Sequence, residues 1–358
     1  MDYAGRSQRV RERLSDHEID ALLVTNLTNV GYLTGFSGTN GQVVVTASET
    51  TFFSDPRYAA RASDLVEGAD VAIYPDRLTD LLPERLKKSK VARVGVETAS
   101  MTLAERDQLA GPLEPIEIVG TKGVVEDLRR IKDDEEVALI REAVALTDQT
   151  FAWILERLAP GATERDVALD LEVNMRTTGA DAVAFEPIVG SGPLSAHIHH
   201  TPSERSLEKG DLVLLDFGCK SGGYCSDFTR TVVLGPATDD QRELYETVRD
   251  AQAAGVAAIA AGVHGRDADA AARAVIESSG EGERFGHGLG HGVGLDIHEA
   301  PRLHRISEDT LRTGDVVTVE PGVYRVGAGG VRVEDCVLVT DTGAEVLGAA
   351  PRDELIEV

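Results

Sequence analysis

Leu212-Val-Leu-Leu-Asp-Phe-Gly-Cys-Lys-Ser-Gly-Gly-Tyr-Cys-Ser-Asp-Phe-Thr-Arg-Thr-Val-Val-Leu234 is the stretch on which the reading of the chain turns. Asp211 to Phe217 and Tyr224 to Leu234 read as strands, and the Gly222-Gly223 pair between them reads as a turn. Each strand carries an acid where a buried strand should be apolar: Asp216 in the first, Asp227 in the second. An unpaired buried carboxylate is unfavourable, so it needs a partner or a metal. The turn would bring the two acids together, and like charges held close need positive compensation. Lys220 and Arg230 can provide it, which makes the pair structural; a bound cation is the other reading.

The same pattern returns downstream. Val316-Val-Thr-Val-Glu-Pro-Gly322 is a buried-looking strand ending in Glu320, because Pro321 stops ladder pairing. Val331-Arg-Val-Glu-Asp-Cys-Val-Leu-Val339 reads as one strand with Arg332, Glu334 and Cys336 on one face. Between the two halves lies Phe285-Gly-His-Gly-Leu-Gly-His-Gly-Val-Gly-Leu-Asp-Ile-His-Glu299, which holds His287, His291 and His298. Its alternating glycines argue against a helix, and it lacks the His-Glu-x-x-His order of zinc peptidases. A glycine-rich turn with hydrogen-bonded histidines would explain it without a ligand. Taken together, four strand-borne acids and one glycine-flanked histidine say more. Hard oxygen ligands with a single imidazole suit Mn²⁺, Co²⁺ or Fe²⁺, with Zn²⁺ also admissible. Two divalent ions would neutralise four carboxylates, so a two-metal hydrolytic site is the economical reading. Cys225 and Cys336 share these faces and read as small packed residues.

A chain of 358 residues favours two domains. The first part alternates short strands (Ala21 to Val24, Gln42 to Val45, Thr51 to Phe53, Val71 to Tyr74, Arg93 to Val96, Ile116 to Val119) with helical patterns, an α/β arrangement. Thr102-x-x-Glu105 and Thr163-x-x-Asp166 are capping-box spacings that open helices. The polar run Glu126 to Glu136 leads into a long helix, and the domain boundary falls near Lys122. No glycine-rich phosphate loop is present, so nucleotide binding has no support. The formal net charge of −25 argues against nucleic acid and anionic membrane surfaces as partners. The charged start is no signal peptide. Ala253 to Val263 is too short to span a bilayer and reads as one face of a buried helix. Three cysteines give no disulfide framework, which indicates the cytoplasm.

These segments resemble the pita-bread metallopeptidases, the group containing Xaa-Pro aminopeptidase (aminopeptidase P), prolidase, methionine aminopeptidase and creatinase. The resemblance covers the whole chain. Thr25-Asn-Leu-Thr-Asn-Val-Gly-Tyr-Leu-Thr-Gly-Phe36 and Ser54-Asp-Pro-Arg-Tyr58 resemble the amino-terminal domain of the proline-directed members. The fold it implies is a creatinase-like α/β domain over 1–122 and a pita-bread catalytic domain over 123–358. Asp216 would then chelate one metal, Asp227 and Glu334 would bridge two, and His291 and Glu320 would complete the other shell. Glu320 would also shuttle the proton. His199, in Ser191-Gly-Pro-Leu-Ser-Ala-His-Ile-His-His200, matches a histidine that steadies the tetrahedral intermediate. Ile198 stands where the family usually has proline, and His197 and His200 are extra. His287 and His298 match histidines of the substrate pocket, and Arg332 an arginine near metal and substrate. Tyr224 matches a tyrosine bonded to the ligand carboxylates.

Arg302 resembles a prolidase arginine that meets a dipeptide's carboxylate; otherwise it is a surface arginine after a proline turn. Arg57 and Tyr58 either anchor a helix start or reach a neighbouring subunit's site. The implied activity is hydrolysis of the Xaa-Pro bond in short peptides with proline second, as aminopeptidase P or as prolidase. Two divalent ions per subunit, Mn²⁺ first, and a homodimer go with it. A metal-free binding homologue and a creatinase-like amidinohydrolase are the alternatives, and the intact ligand set opposes both.

Overall fold

The computed structural model describes residues 1–358. The chain divides into Met1–Arg129 and Arg130–Val358. The division falls later than Lys122 because the short helix Glu126–Arg129 is bonded into the first unit. There Asn29 Nδ2 donates to Glu126 Oε1 at 2.7 Å, and Arg129 Nη1 donates to Asn29 Oδ1 at 2.8 Å. No helix is long and apolar enough to cross a membrane.

All six strands expected in the first unit are present and form one mixed sheet. Its order is Asp70–Ile73, Thr50–Ser54, Gln42–Thr46, Ala21–Val24, Arg93–Glu97, Glu117–Thr121. Ala21–Val24 lies inside the sheet and is buried on both faces, which is why it is continuously apolar. The helix Leu103–Leu113 opens with the Thr102 and Glu105 box in place. Asp55 accepts from Arg57 and caps the 3₁₀ turn Pro56–Tyr58, which puts Arg57 and Tyr58 at a helix start.

In the second unit two helix pairs each cover a sheet. Asp134–Leu155 and Glu164–Thr178 pack on a three-stranded antiparallel sheet of Ile188–Ser191, Leu212–Phe217 and Phe228–Val233. Asp239–Ala257 and Gly265–Ser278 pack on five antiparallel strands: Glu299–Leu303, Gly290–Gly292, Val316–Val319, Asp335–Thr340 and Gly343–Val346. Ala253 to Val263 is therefore no single helix face; it runs off the end of Asp239–Ala257 into a turn where Gly262 takes φ +88°.

Strand parity places the chemistry. Val213, Leu215 and Phe217 face one helix pair, so Asp216 faces the other way. Val317 and Val319 face the second pair, and so do Val331 and Val333, which turns Thr318, Arg332 and Glu334 away from it. One strand reading needs correction and one holds. Val331 to Val339 is not one strand: Gly329–Arg332 ends a hairpin with Gly322–Arg325, and Asp335–Thr340 begins a different sheet. Glu334 sits at the crossing and bridges to Thr229. Gly222-Gly223 closes the hairpin that holds Asp216 and Asp227: the short strands Cys219–Ser221 and Tyr224–Cys225 at its tip continue the register in which Asp216 pairs with Thr229.

Candidate metal centre

Five elements deliver the ligand set. Asp216 comes from Leu212–Phe217, Asp227 from the residue before Phe228–Val233, and His291 from Gly290–Gly292. Glu320 stands just past Val316–Val319, and Glu334 lies between the hairpin and Asp335–Thr340. His291 enters because of the glycines beside it. A Cβ on Gly290 would lie 2.0 Å from the Thr318 carbonyl oxygen, and one on Gly292 would lie 2.2 Å from that of Ala300. No larger residue lets this strand slip between its two neighbours.

Ligand atoms of Asp216, Asp227 and Glu334 all lie within 4.8 Å of one another. His291 Nε2 stands 3.5 Å from Asp227 Oδ2 and 3.3 Å from Glu320 Oε1. Its Nδ1 meets the Gly292 carbonyl at 3.1 Å, and a carbonyl only accepts, so the proton sits on Nδ1. Burial holds the imidazole near a pKa of about 3. Nε2 therefore presents a lone pair to two carboxylate oxygens, an arrangement that needs a bound cation or a proton on one of the acids. Burial drives Asp227 and Glu334 well above the ordinary carboxylate value, and the neighbouring acids drive them further. Glu320 rises to about 7, again chiefly through burial. Asp216 Oδ1 is buried without any hydrogen-bond partner. Crowded acids, an orphaned oxygen and a bare imidazole nitrogen fit divalent cations.

One positive charge is built in, and it is neither Lys220 nor Arg230. Arg230 pairs with Asp335 at 2.8 Å and with main-chain carbonyls. The cation is Arg332, whose Nη2 bonds Asp216. Arg332 Nε donates to Thr229 Oγ1 at 3.0 Å, and Nη1 to the Tyr324 hydroxyl at 2.9 Å. That hydroxyl also meets His287 Nε2 at 2.8 Å, while His287 Nδ1 meets the Gly288 carbonyl at 2.8 Å. His287 thus lines the cavity with both nitrogens engaged. Tyr224 is not the tyrosine of this network; its hydroxyl donates to Glu136 at 2.6 Å. Tyr324, Thr229 and Thr318 were missed from sequence. Thr229 donates to Glu334 Oε2 at 2.5 Å and Thr318 to Glu320 Oε1 at 2.9 Å. Thr229 and Thr318 stand two residues from the ligand acids Asp227 and Glu320, on the same strand faces, which was the available signal.

The cluster floors a cavity of about 920 Å³. His199, His298 and Arg302 also line it, with Phe185, Ile188 and Ile198 on one wall. The His298 ring lies 4.4 Å from that of His291, centroid to centroid. Of the extra histidines, His200 bonds Glu164 and His197 is exposed, so only His199 of the three faces the cavity. Cys336 Sγ donates to the Asp227 carbonyl at 3.3 Å and Cys225 is buried beside Leu295, so both are packed.

Buried carboxylates around one imidazole, opening into a cavity, define a divalent-metal centre. Residues 138–341 match the model of metallopeptidase family M24, and residues 6–131 match the creatinase/prolidase N-terminal domain. The Xaa-Pro dipeptidase of Pyrococcus furiosus is 35% identical over 98% of this chain and 99% of its own length. Among solved structures, the Xaa-Pro dipeptidase from Bacillus anthracis superposes with a TM-score of 0.97 at 39% identity, covering 99% of this chain and 100% of that one. The X-Pro aminopeptidase from Thermotoga maritima gives 0.91 at 32% identity, covering 97% and 99%. The chain belongs to metallopeptidase family M24, with a creatinase-type amino-terminal domain ahead of a pita-bread domain, and is a metallo-exopeptidase.

Proposed function

We propose that this enzyme hydrolyses the bond to proline in Xaa-Pro dipeptides. Arg302 carries the reading. Its guanidinium lines the cavity, makes no hydrogen bond or ion pair, and lies near enough to Glu320 and His291 to act on their charge. A free cation beside an acid cluster suits the carboxylate that a dipeptide carries next to its scissile bond. The names of the Pyrococcus furiosus and Bacillus anthracis relatives, both Xaa-Pro dipeptidases, support it.

Asp216, Asp227, His291, Glu320 and Glu334 would hold two divalent ions, Mn²⁺ first, with Co²⁺, Zn²⁺ or Fe²⁺ behind it. Such ions supply a Lewis acid for the carbonyl and make water acidic enough to attack. The chain's own groups do the rest. Thr318 holds Glu320 Oε1, which leaves Oε2 to take the water's proton and pass it to the departing proline nitrogen. His199 donates to the carbonyl oxygen as it becomes negative, with His298 beside it. His287 holds Tyr324, and through it Arg332 and Asp216. Arg302 takes the terminal carboxylate.

Aminopeptidase action on longer peptides is the second reading. The cavity of about 920 Å³ continues past Arg302 to His304 and Ile306, near the top of the ~300–1,000 Å³ range of small-ligand pockets. The two separate in one measurement, kcat/KM for Xaa-Pro over Xaa-Pro-Xaa, in the wild type and in Arg302→Ala. A charge-assisted hydrogen bond is worth about 1.5–3 kcal/mol, so Arg302→Ala should lower dipeptide turnover roughly 10–150-fold and tripeptide turnover less. An unchanged ratio makes Arg302 a surface residue and favours the longer substrates. The presence of all five ligand residues stands against a metal-free binding homologue and a creatinase-like amidinohydrolase. A homodimer in the cytoplasm belongs to the same reading, and light scattering at micromolar concentration decides the first part.

A further inference from the structure

Glu164 is a carboxylate with no side-chain exposure, outside the ligand set and bonded to the loop that carries His199. It is the first residue of the helix Glu164–Thr178. Five donors converge on it. Oε1 accepts from Ser191 N at 2.8 Å and Ser191 Oγ at 2.7 Å. Oε2 accepts from His200 Nε2 at 2.8 Å, Ser203 N at 3.0 Å and Ser203 Oγ at 2.6 Å. The same helix start adds two main-chain ties, Glu164 N to the Arg205 carbonyl and Arg165 N to the Ser203 carbonyl, both at 3.1 Å. Burial pushes the Glu164 pKa up, but the bonds from Ser191, Ser203 and His200 outweigh that and hold it below the ordinary value.

These donors mark the ends of one loop. Ser191 opens it, Ser203 closes it, and His200 is the neighbour of His199. Beyond the 3₁₀ turn Gly192–Ala196 the loop has no regular structure as far as Ser203. Its start is also tied by Gly330 N to Ser195 Oγ at 2.9 Å and Arg205 Nη1 to Ser191 Oγ at 2.7 Å, and Ile198 packs toward Ala196. Next to His199 itself the only other hydrogen bonds are short turns, His197 N to the Leu194 carbonyl at 3.0 Å and His200 N to the His197 carbonyl at 3.2 Å. No hydrogen bond or ion pair holds the His199 ring itself.

We propose that Glu164, acting through His200, is a positioning residue that fixes His199 over the metal centre. His200 anchors the loop one residue from the ring that must reach the reacting carbonyl. The extra histidine at the end of the His-Ile-His-His run is then a fastener, and His199 is the working group. The inference rests on the catalytic role proposed for His199.

The test uses full-length, Mn²⁺-loaded enzyme and an Xaa-Pro dipeptide. His200→Ala should lower kcat about 10–100-fold, the scale of a misplaced catalytic group, with KM, Tm and metal content close to wild type. His200→Gln keeps an N–H donor and should recover most of the loss. His199→Ala should lower kcat about 10²–10³-fold, and adding His200→Ala to it should lower kcat no further, because a residue that acts only through His199 has nothing left to position. An equal loss from His200→Ala in the His199→Ala background overturns the proposal, as does His200→Gln that is as slow as His200→Ala. If His200→Ala does not fold, Glu164→Gln takes its place in the same cycle. Full activity in His199→Ala overturns the reading of His199 itself, an outcome distinct from additivity.

Discussion

Glu97 and Asp216 stand in the same kind of place. Each ends an apolar strand run, Arg93-Val-Gly-Val-Glu97 in the first unit and Leu212-Val-Leu-Leu-Asp216 in the second. Each is buried, and burial raises both above the ordinary carboxylate value. Their surroundings differ. Glu97 Oε2 accepts from Thr25 N at 2.6 Å and Asn26 N at 2.8 Å, and Oε1 from Asn29 Nδ2 at 2.6 Å. It is a satisfied bracket that holds the start of the helix Leu27–Thr34. Asp216 has one oxygen on Arg332 and one on nothing, with Asp227 and Glu334 against it. A buried acid therefore signals little alone. The signal is several acids facing one another with acceptor capacity left unused.

The largest effect separating the two acids should come from removing a ligand. Glu334→Ala should lose bound metal and at least about 10³-fold in kcat, the scale of several kcal/mol of charge stabilisation. Elemental analysis beside turnover checks it; a variant that keeps both ions while losing rate would make Glu334 something other than a ligand.

Metal binding itself sharpens the contrast. In the metal-free protein burial and mutual repulsion favour the protonated acids: Asp227 and Glu334 are pushed well above the carboxylate value and Glu320 to about 7. Ions need the charged forms, so binding must expel those protons, while His291, already neutral, expels none. Because the acids are shifted upward, affinity should weaken as pH falls from about 7 toward 5, roughly tenfold per unit for each proton displaced. Calorimetry in buffers of different ionisation enthalpy counts the protons, and a count of zero contradicts the crowding described above.

The smallest effect belongs to the satisfied acid. Glu97→Ala strands three donors and should reduce stability by about 1–3 kcal/mol. Denaturant unfolding measures that, and kcat per folded molecule should stay at the wild-type value. A loss of bound metal in Glu97→Ala would erase the distinction between the two acids.

Most of this was legible in the sequence, for a physical reason. A polar residue in an apolar strand run stands out, and strand parity of two carries its face along, so Asp216, Asp227, Glu320 and Glu334 could be picked from the chain alone. The six strands of the first unit were visible as β-branched runs between turn residues. What failed was choice among equals. Arg230, Lys220 and Arg332 are all cations near the acids in sequence, and only the crossing of the hairpin over Leu212–Phe217 selects Arg332. Tyr224 and Tyr324 both stand within two residues after a glycine, yet the hydroxyl of the first bonds Glu136 and that of the second bonds Arg332 and His287. Periodicity also ran straight through Val333 and Glu334, where the chain leaves one sheet for another without breaking its alternation.

That crossing limits how the gene can change length. Arg332 and Glu334 face Asp216 and Thr229 only while the count of residues between them and the ladder is kept; one residue inserted or lost from Val331 to Glu334 would swing both toward the helices and bring Val331 or Val333 into the centre. The tip of the same hairpin is different. Val326 is 84% exposed and lies outside the paired residues, so insertions there leave the register intact. Descendants of this chain should therefore vary in length at 326–328 and be frozen in length a few residues later. An insertion scan across the hairpin would draw that border directly.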